Sequence, residues 1–140
     1  MREFGGFYVT LGEDVEVGLR VSPSAVNHDG DFPIVTATTN NKFKEWVGIT
    51  LKGGKTGDTI PVMPPYAGLV MAKIKCTATR GVKTGWWANT DLDGYFTCAE
   101  GTGEITTGVI VTPDLDEAPE AGKIVKAMIF TGRFVYDQKS

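Results

Sequence analysis

Gly68-Leu69-Val70-Met71-Ala72-Lys73-Ile74-Lys75-Cys76-Thr77 is the stretch on which the fold class turns. In an extended chain, Val70, Ala72, Ile74 and Cys76 fall on one face and Lys73, Lys75 and Thr77 on the other. That is the period of two of a half-buried strand, not the 3.6 of a helix. Leu69 and Met71 carry the second face into apolar territory, which points to a cover over its first half. Upstream, Val15, Val17, Leu19 and Val21 alternate with Glu16, Gly18 and Arg20, a second strand pattern that Ser22-Pro23-Ser24 should end. Asn27-His28-Asp29-Gly30-Asp31 reads as a turn. Further strands are expected over 32–38, 43–51, 59–62, 95–99, 105–112, 123–130 and 133–136, with Pro33 placing its strand at an edge or its start. Residues 113–121 are acidic and bounded by Pro, and read as a solvated loop or a single helical turn. No stretch sustains a helical period. The class is therefore all-β, a single small β-barrel or β-sandwich, divided into an N-terminal arm (1–14), a β-domain (15–136) and a short C-terminal tail (137–140).

A weak internal repeat runs through this pattern. Gly48-Ile49-Thr50-Leu51 leads through a loop to Gly57 and then to Ile60 and Val62. Gly108-Val109-Ile110-Val111 leads through a longer loop to Gly122 and then to Val125 and Ala127. Each half reads as strand, loop, glycine, strand, with the glycine supplying the positive φ of a tight turn.

Composition narrows the function. At 140 residues and 41% hydrophobic content, the chain is long enough for one real core. Its 14 Lys and Arg against 17 Asp and Glu give a net charge of −3, which argues against a duplex nucleic acid partner. No apolar run approaches the length of a membrane span, and the first residues lack the apolar stretch of a signal peptide, so synthesis and retention in a cytoplasm are expected. Cys76 and Cys98 fit buried thiols in a reducing compartment, with a disulfide between them as the alternative.

Catalytic chemistry is sparse. His28 is the only histidine and sits among turn residues, so no enzymatic activity is expected. The acidic run Asp114, Asp116, Glu117 and Glu120 reads as a solvated loop. Gly54-Lys55-Thr56 matches only the second half of a phosphate loop. Ile49 stands where the leading glycine belongs, and a strand pattern follows where a helix is needed. Asn89, Asp91, Asp93 and Glu100, with Gly94 at the sixth position, have the spacing of a calcium loop, but Asp93-Gly94 between apolar runs is equally a hairpin signal, and the turn is the reading adopted. No metal or cofactor is expected. In a strand Trp86 and Trp87 point opposite ways, so either one faces out and can anchor a partner or a sugar, or both are covered, one by the core and one by a loop.

Taken in order, Val47-Gly48-Ile49, the glycine-rich loop ending Gly57-Asp58, the strand 60–63, Gly68-Leu69-Val70, Gly85-Trp86-Trp87, the Asp91/Asp93-Gly94 turn, Tyr95-Phe96-Thr97 and Gly108-Val109-Ile110 resemble the capsid decoration, or cement, proteins of tailed bacteriophages. The resemblance covers about residues 40–130 and departs at Pro61, at Pro64-Pro65 and in the longer N-terminal region. It implies a β-domain on the outer surface of a phage head, made in the host cytoplasm and bound to the major capsid protein. The protein would be a homo-oligomer, with a trimer favoured, and would oppose the pressure of packaged DNA without a cofactor or a membrane or nucleic acid partner. The contact residues expected on that reading are Arg2, Phe4, Phe7 and Tyr8 of the arm, the corner Pro64-Pro65-Tyr66, and Trp86 or Trp87. A glycan- or receptor-binding module of a tail or fibre is the alternative.

Overall fold

The structure is a computed structural model that describes residues 6–29, 32–39, 47–64, 69–75, 87–98, 104–110 and 122–136. These residues form ten strands and no helix: β1 (Phe7–Leu11), β2 (Arg20–Asp29), β3 (Phe32–Thr36), β4 (Gly48–Thr50), β5 (Thr59–Met63), β6 (Leu69–Lys75), β7 (Trp87–Thr90), β8 (Phe96–Cys98), β9 (Glu104–Ile110) and β10 (Ile124–Tyr136). The all-β class is as the alternation implies. The decisive stretch forms β6, whose Val70, Ala72 and Ile74 are buried while the residues between them are not.

The chain builds two closed sheets of five strands, in the orders β1-β3-β2-β4-β5 and β10-β6-β8-β7-β9. Their wiring is the same. The first strand of each pairs parallel with the third and antiparallel with the fifth, and every other pairing is antiparallel. The register follows suit: one shift along the chain carries Val9 onto Ile74 and its partner Ile60 onto Val125. The repeat seen in the sequence marks β4–β5 in one barrel and β9–β10 in the other. Gly57 and Gly122 both adopt positive φ, 93° and 86°. Each ring is closed by a parallel pairing, β1 with β3 and β6 with β8.

Each barrel has its own core. Val9, Leu11, Leu19, Val21, Val35, Ile60 and Val62 fill the first. Val70, Ala72, Ile74, Phe96, Ala127 and Ile129 fill the second, and Ile49 of β4 joins them. Each alternate inward residue removes roughly 1.5–3 kcal/mol of apolar surface from water when it is Val, Leu or Ile.

Several sequence expectations give way to geometry. The arm of residues 1–14 ends early, because Phe7–Leu11 is β1, paired with β3 and β5, with Val9 and Leu11 fully buried. The alternation over 15–21 is not one strand. Gly18, at φ 83°, turns the chain, and Val15 makes an isolated bridge to Gly54. Pro23 does not end β2, because the β2–β3 register shifts between Pro23 and His28 and the ladder resumes at His28–Pro33. The two strands expected over 123–130 and 133–136 are one, β10, with a register shift against β9 between Thr131 and Phe134. Residues 1–5, 113–121 and 137–140 lie outside the described residues, as does Cys76.

Candidate functional site

Two features stand out: the polar seam that joins the barrels, and the outer face of β6 and β10. The seam begins with backbone. Lys73 N donates to Gly18 O, Arg20 N to Gly94 O and Thr39 N to Leu92 O, each at 2.9 Å. These bonds need close approach of chains. A Cβ on Gly94, at φ 88°, would lie 2.6 Å from Arg20 O, so glycine is required twice over.

Side chains extend the seam. Arg20 is 1% exposed. Its Nη1 donates to Ser22 Oγ at 2.8 Å and its Nη2 to the Asp91 carbonyl at 2.7 Å, while Nε has no protein partner. Burial pushes the guanidinium's pKa down, against the nearby Asp91 charge. Glu16 accepts from Tyr95 Oη at 2.7 Å and from Lys73 Nζ at 3.0 Å, and both bonds hold its carboxyl below the usual range, the Tyr95 bond most. In return Glu16 pushes the Tyr95 phenol up to about 12. Lys75 Nζ lies 3.2 Å from Asp91 Oδ2, 3.5 Å from Asp93 Oδ2 and 4.7 Å from the Tyr95 ring centroid. Burial works against its ammonium, but the Asp91 hydrogen bond and the two carboxylate charges outweigh it and raise its pKa. The arrangement ties Glu16 and Arg20 of the first barrel to Lys73, Lys75, Asp91 and Tyr95 of the second. Its geometry is that of a brace.

The same geometry decides the Asn89–Gly94 segment in favour of a turn. Asp91 Oδ1 accepts from the backbone N–H of Asp93 and Tyr95, at 2.9 and 3.1 Å, and Gly94 N closes onto the Asp91 carbonyl. Asn89 is buried, with Oδ1 on Thr90 N. Glu100 lies outside the described residues. The loop 52–58 is likewise no phosphate loop. Asp58 caps Lys55 N, Asp14 accepts from Thr56, and strand β5 follows. Together with Val15, Glu16 and Gly53 it borders an open groove of about 480 Å³.

On the outer face of β6 and β10, four rungs of paired residues point away from the core: Leu69–Phe130, Met71–Met128, Lys73–Lys126 and Lys75–Ile124. Leu69 is 55% exposed, Phe130 50% and Met128 38%. Among the described residues, the cover expected over this part of β6 is absent at Leu69, while Met71 is half-buried. Exposed apolar side chains of this size lie side by side here. The signal in the sequence was the apolar start of β6's second face. What sequence could not supply was the register that sets Phe130 and Met128 beside it.

The sequence-predicted contact residues do not gather in one place. Tyr8 is exposed on β1, at 48%, while Phe7 beside it is half-buried and packs against the first core. Pro64 follows β5 and is half-buried. Trp87 opens β7, paired with Val109. Arg2, Phe4, Pro65, Tyr66 and Trp86 lie outside the described residues.

No family model and no curated protein matches the chain. A solved structure does: the head fiber gp8.5 N base of bacteriophage phi29. The two share a TM-score of 0.55 at 18% identity, over 89% of this chain and 92% of that one. At that identity the likeness is one of fold, and it spans both barrels rather than one.

Proposed function

We propose that this protein is a structural component of a bacteriophage virion, a decoration protein that binds the outer surface of the head and braces the shell. The observation that carries this reading is the fold shared with a phage head fiber base over nearly the whole of both chains. Two further features support it. The two barrels are tied by a buried Arg20 and by hydrogen bonds from backbone to backbone, as suits a part that must resist strain. The strongest exposed feature is an apolar sheet face, suited to holding a surface rather than converting a substrate. On this reading the role is mechanical, the partner is the major capsid protein, and the protein works as a homo-oligomer, with a trimer favoured. Repetition of modest contacts over a lattice supplies avidity. A head-fibre base is the second reading, favoured by the nature of the matched phi29 protein.

The test is mechanical too. Purified protein added to particles stripped of it should raise the temperature at which packaged DNA is released. Binding without any rise would remove the bracing role and favour the fibre base, and absence of binding would overturn the virion reading.

A further inference from the structure

The outer face of β6 and β10 has a specific chemistry. Its first two rungs, Leu69–Phe130 and Met71–Met128, are apolar, and the third brings in Lys126, exposed on β10 opposite Lys73. The face formed by β6 and residues 124–130 of β10 carries Lys73, Lys75 and Lys126 and no carboxylate, on a chain whose net charge is −3. Glu16 engages Lys73, and Asp91 and Asp93 engage Lys75, so both β6 lysines of this face have carboxylate partners at the seam. Lys126, exposed on the same rung as Lys73, borders the apolar rungs as well.

Backbone pairing restricts how a partner docks here. β6 is hydrogen-bonded to β10 and β8, and β10 to β6 and β9. The β6–β10 ladder runs unbroken from Lys75–Ile124 to Leu69–Phe130, so no peptide strand can insert between the two along this face. Contact must be made by side chains, face to face. Methionines suit this, because a flexible thioether adapts to an uneven surface.

We propose that this face is the docking surface, and that its occupant is a protein surface with an apolar centre and carboxylates placed to meet Lys126. The inference rests on the virion reading and adds to it which side of the molecule meets the shell and what the shell must present there.

The experiment is co-sedimentation of the purified chain with particles stripped of it, at low and high salt. The variants are the double substitution Leu69→Ser with Phe130→Ser, and Lys126→Glu. All three replaced side chains are exposed, so the melting temperature should change little, and that is measured alongside. The double variant should bind roughly 30-fold more weakly, as for the loss of two anchors of about 1 kcal/mol each. Lys126→Glu should bind several-fold more weakly at low salt, with the difference shrinking at high salt as the charges are screened. If wild type and both variants bind alike, this face is not the contact, while the virion reading stands. If the wild-type chain does not bind at all, both fall. Should the double variant melt early, Lys126→Glu decides the matter, and undiminished binding by it overturns the proposed complementarity.

Discussion

Arg20 illustrates how single residues hold this molecule together. A buried guanidinium that donates to Ser22 and to the Asp91 carbonyl is costly to truncate, because the carbonyl loses a charged donor and a cavity opens. Arg20→Ala should lower unfolding free energy by about 3 kcal/mol, whereas Arg20→Met, which refills the space without a buried charge, should cost clearly less. Denaturant melts of the two variants check this. Glycines offer a second comparison. At Gly57 an added Cβ meets nothing within 4 Å, so Gly57→Ala should cost only the positive-φ strain, about 1–2 kcal/mol. At Gly94 the same strain is joined by a clash with Arg20 O, so Gly94→Ala should be the more damaging by a further 1–3 kcal/mol or so. Titration of the seam has a definite sign at each end. The Glu16 carboxyl is held below its ordinary 4.5, so its contribution is present above that value and is lost as pH falls through the lowered folded value. The Tyr95 phenol is raised from 10.0 to about 12, so its contribution is full below 10 and is lost as pH rises through about 12. Ultraviolet titration should show one tyrosine ionising late, and Glu16→Gln should bring it back toward 10. A late tyrosine unaffected by Glu16→Gln would show that the hydrogen bond is not the cause.

At the scale of strands, the N-terminal segment behaves differently from the arm its composition suggests. Phe7–Leu11 closes the first barrel by pairing with both β3 and β5. Removing residues 1–5 should leave the melting temperature nearly unchanged, while removing residues 1–11 should unfold the first barrel, since Val9 and Leu11 leave its core and β3 and β5 lose their partner. Circular dichroism melts of the two truncations distinguish these outcomes. Strands such as β6 were legible because a strict alternation of Val70, Ala72 and Ile74 admits one reading. β1 was not, because Gly5-Gly6 beside aromatics looks like a mobile tether, and what fixes Val9 is a partner, Ile60, far along the chain. Gly18 misled in the opposite way. Alternation continues across it, and only its backbone angle shows that the chain turns there. The β4–β5 and β9–β10 repeat was visible, but its meaning, two complete barrels, depended on pairings between distant strands that no local pattern records.

At the scale of the whole molecule, two barrels of identical wiring are locked by a seam of backbone bonds, Arg20 and the Glu16–Lys73–Tyr95 cluster, and one of them turns an apolar face outward. Its all-β class was legible from the alternation of its strands and from its turn glycines. The candidate face was only half legible, since Leu69 and Met71 announced it and Met128 and Phe130 completed it through register. The central claim is that this protein is part of a phage shell. Counting it against the major capsid protein in purified particles, by quantitative mass spectrometry, tests that most directly. Copies on the scale of the capsid protein are the expected result; absence of the chain from intact particles would contradict the claim.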